Sequence, residues 1–238
     1  MRESFEQFDE TQTGDAFALQ NGKLLKVRLS GGSIQAKKGS MVAYQGDVRF
    51  AAAGSGGLGR LVKKAVTGEG QSLMKMEGTG EVFLADTAQD VHLVHLDGDK
   101  LTVNGPNLLA FDADIDWDIE RVQGGGGMAA GGLFNTTLQG TGWVALLTDG
   151  PPVRLDVSAA PTFADVQAAV AWSGGVSTSI KTDMGGIGSM LRGGSGEAIQ
   201  IGFSGQGWVL VQPSEGRPVV PSGQGGGAGG GLGRLLQG

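Results

Sequence analysis

The chain has 238 residues with a formal net charge of −6, and 39% of it is hydrophobic, enough to bury a substantial core as one large domain or several small ones. The acidic balance, with a pI near 4.9, argues against general binding to a phosphate backbone, and no apolar run approaches the roughly 18 residues of a membrane-spanning helix. Zero cysteines exclude a disulfide framework or a thiolate metal site, and the 46 glycines belong to turns, bulges and loops, since they follow no collagen-like period.

From the N-terminus, Met1-Arg2-Glu3-Ser4-Phe5-Glu6 has no basic segment leading into an apolar core, so a cytoplasmic location is expected, with peripheral contact to a membrane as the extension of that reading. Alternation and β-branched content then predict strands over Leu24 to Leu29, Met41 to Phe50, Gln71 to Met76, Glu81 to Ala85 and Val91 to Leu96. The clearest alternation runs from Phe111 to Ile119, where Asp112, Asp114, Asp116 and Asp118 interleave with apolar residues and read as a solvated acidic face on a half-buried strand. Further strands are predicted over Leu138 to Leu147, Val153 to Val157, Val170 to Ile180 and Ala198 to Gln212.

Two patterns recur in step. Gly78-Thr79-Gly80, Gly140-Thr141-Gly142 and Gly205-Gln206-Gly207 each run into an apolar strand. About thirty residues before each pair, an apolar run closes on an aromatic, at Tyr44, Phe111 and Trp172, with Val48, Ile115 or Val176 four positions later. Two signals repeating in the same order every 65 residues or so predict one structural unit used three times. The chain then divides into a first β-unit over 1–90 with a helical insert at 57–66, a second over 91–150, a third over 151–213, and a glycine-rich flexible tail over 214–238. Gly78, Gly80, Gly140, Gly142, Gly205 and Gly207 are expected at backbone positions that a Cβ would obstruct or where φ is positive.

Candidate chemistry is sparse. Gly54-Ser55-Gly56-Gly57-Leu58-Gly59 spells a dinucleotide fingerprint, but glycine is frequent enough here to produce it by chance, and the following elements read as hairpins instead of a parallel βαβ unit. His92 and His95, the only histidines, fall on opposite faces of a strand and so do not converge on one metal ion. Trp143, Trp208 and Phe83 near the Gly-x-Gly pairs are expected to fill equivalent core positions. Arg60, Lys63 and Lys64, set among Leu58, Leu61, Val62 and Val66, form the one concentrated positive charge and the candidate contact for a protein partner or an anionic membrane. No catalytic, cofactor or metal residues are assigned.

Gly57-Leu58-Gly59-Arg60-Leu61-Val62-Lys63-Lys64, Gly68-Glu69-Gly70 and Gly78-x-Gly80-Glu81-Val82-Phe83-Leu84-Ala85 resemble the Altered Inheritance of Mitochondria protein 24 family in its bacterial members, over about Phe17 to Gln212. The resemblance implies an all-β fold of three short double-stranded β-helix units, related to that of the tryptophan RNA-binding attenuation protein, and homotrimers in which nine units close a ring. It carries over no catalytic residue. Thr79, Thr141 and Gln206 stand where the family often places proline. The expectation is a non-enzymatic assembly or binding protein, a ring-like homotrimer that docks a protein partner or a membrane surface, without nucleic acid and without a cofactor. The alternative is a small-ligand-binding or enzymatic β-sandwich protein that uses a cleft between units.

Overall fold

The computed structural model describes residues 5–52, 73–121, 134–182 and 199–215. Their regular elements are fourteen strands and two single-turn 3-10 segments, so the protein is all-β, as short alternating runs separated by glycine-rich turns dictate. In chain order the strands are β1 (Phe17–Asn21), β2 (Leu24–Lys37), β3 (Met41–Ala52), β4 (Leu73–Leu84), β5 (Asp90–Asn104), β6 (Leu108–Asp112) and β7 (Asp116–Arg121). They continue with β8 (Phe134–Thr148), β9 (Val153–Asp156), β10 (Thr162–Asp165), β11 (Ala169–Ser173), β12 (Val176–Thr182), β13 (Ile199–Gly205) and β14 (Trp208–Val211).

Eleven strands form one antiparallel sheet, in the order β3-β4-β2-β6-β8-β5-β11-β14-β9 with β1 on β2 and β7 on β8, and β10-β13-β12 form a second. Two ladders stitch successive stretches of chain together. β2 meets β6 with Gln35 opposite Phe111 and Ala36 opposite Ala110, and β5 meets β11 with Thr102 opposite Trp172 and Val103 opposite Ala171. On their other sides these strands pair with β4, Ile34 opposite Met76, and with β8, Leu101 opposite Leu138. β10 pairs with β13, Thr162 opposite Phe203.

Alternation places apolar side chains on buried faces, and three clusters result. The first gathers residues such as Leu25, Val27, Met76 and Val82, together with Val91, Leu109, Ala145 and Leu147 from later in the chain. The second holds Leu96, Leu101, Phe111, Ile115, Val144 and Leu146, joined by Val170 and Ala171, and the third is built on Val157, Trp172, Ile201, Phe203 and Val209.

Several strands differ from their predicted extents. The runs predicted either side of Gly78-Thr79-Gly80 are one strand, β4, just as β8 runs through Gly140-Thr141-Gly142 as expected, because glycine can bend a strand without ending it. The stretch from Phe111 to Ile119 is instead broken after Asp112, where the Ile115 N–H donates to the Asp112 carbonyl at 3.1 Å and the Ala113 N–H to the Ser33 carbonyl at 3.3 Å. Val170 to Ile180 divides at Gly174-Gly175, and Ala198 to Gln212 divides at Gln206. Hydrophobic period reports which face a residue occupies, and a tight turn that preserves the face leaves no trace in it. The helical insert at 57–66 lies outside the described residues.

Candidate functional site

The six repeat glycines have φ values of 135° (Gly78), 154° (Gly80), 137° (Gly140), 151° (Gly142), 110° (Gly205) and 147° (Gly207). In the second and third pairs the second glycine is the more crowded, while Gly78 and Gly80 are equally obstructed, a Cβ on Gly78 standing 2.1 Å from the Asp47 carbonyl oxygen. A Cβ on Gly80 would stand 2.1 Å from the Gln45 carbonyl oxygen, and one on Gly142 would stand 2.8 Å from Asp112 Oδ2. At Gly207 the obstruction would be Ser173 Oγ, again at 2.1 Å. Gln45, Asp112 and Ser173 each directly follow the aromatic of the second pattern. The two sequence patterns therefore touch, with the residue after the aromatic lying over the space a missing side chain leaves.

At two of these contacts the covering side chain also accepts a backbone proton. The Trp143 N–H donates to Asp112 Oδ2 at 2.7 Å, and the Trp208 N–H donates to Ser173 Oγ at 3.1 Å. Asp112 thereby departs from the expected solvated acidic face. Its side chain turns inward, and burial pushes its carboxyl pKa up, against the opposing pull of the Trp143 bond. Asp114, Asp116 and Asp118 are exposed.

Trp143 and Trp208 are half-buried, packed against the first and second clusters respectively. Strand register places Glu81, not Phe83, at the corresponding position, since Glu81 faces Arg28 as Trp143 faces His95 and Trp208 faces Asp156. Glu81 there forms a charged site. Lys26 is buried on β2 and bonds Glu81 at 2.9 Å and also Glu10. Burial draws the Lys26 ammonium down, but hydrogen bonds to the two carboxylates outweigh it and hold its pKa above the usual lysine value. Glu10 is held below the usual carboxylate range by its hydrogen bonds with Glu81 and then Lys26. The same ammonium donates to the Thr11 carbonyl at 3.0 Å, so the stretch before β1 is strapped across β2.

The histidines have separate surroundings. His92 Nε2 lies 2.8 Å from Thr148 Oγ1, and burial lowers its pKa despite nearby Asp90. His95 is exposed and meets Trp143 edge-on, with ring centres 4.9 Å apart. Among the described residues no three His, Asp or Glu side chains gather as metal ligands. A cleft of about 540 Å³ lies where the β5 bulge faces the Ser173–Gly175 turn, lined by His95, Lys100, Gln206 and Trp208 among others. A second, of about 480 Å³, is bordered by Asp47, Arg49, Lys75, Glu77 and Asp114, and Lys75 and Glu77 pair with each other across 2.7 Å.

Sequence reading missed an exposed apolar edge. β3 is a terminal strand of the large sheet, and Val42 and Tyr44 on it are 62% and 47% exposed. The residues with the same place relative to the other two aromatics, Leu109 with Phe111 and Val170 with Trp172, are at most 4% exposed. Tyr44 also meets exposed Phe50 edge-on at 5.2 Å. The sequence carried no separate mark of it, because the apolar run ending at Tyr44 reads like those ending at Phe111 and Trp172. Arg60, Lys63 and Lys64 lie outside the described residues.

No curated protein matches the chain. Among solved structures, the chain is similar to a protein of Streptococcus pyogenes determined by X-ray crystallography, at 23% identity and a TM-score of 0.67, over 82% of this chain and 91% of that one. That likeness is one of fold. The family model described as mitochondrial biogenesis AIM24 matches residues 17–214, and the strands, clusters and glycine contacts described above all lie within that span. The chain belongs to the mitochondrial biogenesis AIM24 family.

Proposed function

We propose that this is a non-enzymatic assembly protein whose chain repeats one β-unit three times and whose copies join as a ring-like homotrimer, presenting the insert with Arg60, Lys63 and Lys64 to a protein partner or an anionic membrane. The repeat is supported by matching detail. The bulges in β3, β6 and β11 fall at the same place, two residues before Tyr44, Phe111 and Trp172. Ten residues ahead of each aromatic stand Ile34, Leu101 and Thr162, which face Met76, Leu138 and Phe203.

The observation that carries assembly is the exposure of Val42 and Tyr44 where their counterparts are buried. Each counterpart is covered by the preceding unit, and the first unit has none within its chain. Exposed apolar edge strands invite pairing, and ring closure removes them. Light scattering on a size-exclusion column tests this: three copies of the 24.2 kDa chain give about 73 kDa, and a monomer at micromolar concentration ends the ring reading. For docking, reversing the charges of Arg60, Lys63 and Lys64 is expected to abolish co-sedimentation with anionic vesicles or capture by an acidic partner, while the oligomeric mass stays the same. High salt weakens the same contact, since exposed charges are screened over about 10 Å at 0.1 M. Binding that persists through both treatments rules out this surface.

A further inference from the structure

We propose that β10 of one copy adds to the β3 edge of the next in a fixed antiparallel register, with Ala164 opposite Ala43, Phe163 opposite Tyr44 and Thr162 opposite Gln45. The inference rests on the assembly reading and specifies the surface that reading leaves open.

The register is copied from two junctions inside the chain. In the first, Ile34, Gln35 and Ala36 of β2 face Asp112, Phe111 and Ala110 of β6. In the second, Leu101, Thr102 and Val103 of β5 face Ser173, Trp172 and Ala171 of β11. Both junctions carry the same extra bond two residues past the aromatic: the Ala113 N–H donates to the Ser33 carbonyl, and the Gly174 N–H to the Lys100 carbonyl at 2.9 Å. A third junction with this geometry has one strand in each of two copies. Its receiving side is the strand ten residues ahead of Trp172, which is β10, a terminal strand of the small sheet whose only described partner is β13. Its entering side is β3, whose only described partner is β4. The additional bond then runs from the Gly46 N–H to the Pro161 carbonyl.

The chemistry of the two edges agrees with this pairing. Leu109 and Ala110 enter the first cluster, and Val170 and Ala171 enter the second. Among the described residues the third cluster receives no such pair, and Ala164 packs at its margin. Val42 and Ala43 supply the missing pair. Phe163, 45% exposed, then stands across from Tyr44, and cross-strand aromatic pairs are a favourable unit of sheet pairing. A one-residue slip would turn every apolar side chain to the opposite face, so the register is strongly specified. Because the contact joins different surfaces of the two copies, it closes as a ring or extends as a filament according to the rotation between them.

The chain contains no cysteine, so introduced thiols report directly. Ala43→Cys with Ala164→Cys places two Cβ atoms across the ladder, within disulfide reach, whereas Gln45→Cys with Ala164→Cys is displaced by two residues along the strand. Under mild oxidation the first variant is expected to give covalent multimers on a denaturing gel and the second only single chains, both having the multi-copy mass by light scattering before denaturation. If that mass is multi-copy but the first pair stays unlinked, or the displaced pair links, the register is wrong and assembly stands. A single-copy mass overturns both. Should the double-cysteine chain fail to fold, Val42→Asp decides: single copies with an unchanged strand signal in circular dichroism are expected, and a multi-copy species that tolerates the charge overturns the proposal.

Discussion

Gly80 and Gly31 separate two costs that usually occur together. Both have positive φ, +154° at Gly80 and +82° at Gly31, but a Cβ at Gly31 meets nothing within 4 Å while one at Gly80 runs into the Gln45 carbonyl. Gly31→Ala therefore incurs only left-handed strain, about 1–2 kcal/mol. Gly80→Ala adds a backbone collision and is expected to cost roughly 3 kcal/mol or more. Chemical denaturation with an unchanged m-value reads the difference, and equal losses would show that φ alone explains the glycine. Asp112 offers a second comparison. Its folded pKa is raised, so the fold favours the protonated form, and that contribution is full below the unfolded value and lost as pH rises through the folded one. Asp112→Asn keeps an acceptor for the Trp143 N–H without the buried charge, and is expected to melt at or above the parent at pH 7 and level with it near pH 3. Asp112→Ala leaves that N–H without its partner and costs about 1–3 kcal/mol.

The strap before β1 is held at several points, among them the Thr11 N–H bond to Gln20 Oε1 at 2.8 Å and the bonds of the Arg28 guanidinium to the Thr13 and Gly14 carbonyls. Lys26 joins it through Glu10 and the Thr11 carbonyl, while the Arg28 N–H donates to the Ala16 carbonyl at 2.8 Å. Glu10 has a lowered pKa, so its contribution is present above the ordinary carboxylate value and lost as pH falls through the folded one. Lys26 has a raised pKa, so its contribution is lost only as pH climbs past the usual lysine range. Hydrogen exchange is expected to show Thr11, whose N–H donates to Gln20 Oε1, losing protection before the amides of β4 or β8 as pH falls below the ordinary carboxylate range, and a simultaneous loss would tie the strap to global unfolding. Lys26→Met should free the same stretch and lower global stability as well, because it removes the one cation between Glu10 and Glu81 and leaves the two carboxylates together.

At this scale the sequence was informative but incomplete. Strand positions and the pairing of aromatic run with Gly-x-Gly were legible, because side-chain period and glycine placement are local properties. The turn at Ala113 and the inward rotation of Asp112 were not, because both are fixed by Ser33 and Trp143, distant in sequence. Glu81 escaped notice for the same reason. It directly follows Gly80 as Trp143 follows Gly142 and Trp208 follows Gly207, but a charged residue breaks the aromatic pattern, and its partner Lys26 is distant in sequence.

For the whole molecule, each copy in a closed trimer would contribute one insert around a single axis, so a weak contact at Arg60, Lys63 and Lys64 would gain avidity threefold sites can supply without new chemistry. The clusters hold a different consequence. Along β8, Val144 and Leu146 belong to the second cluster while Ala145 and Leu147 belong to the first, and along β5 Val91 and Leu96 divide in the same way. One strand pair thus furnishes two neighbouring interiors with its opposite faces, and neither interior survives if those strands leave. Calorimetry is expected to record a single cooperative transition, with calorimetric and van't Hoff enthalpies agreeing per cooperative unit, in place of three successive ones. A fragment ending at residue 90 would then lack Ala145 and Leu147 and fail to fold. Two interiors that share one strand pair leave no spare parts, since neither stretch of chain can be lifted away from its neighbour.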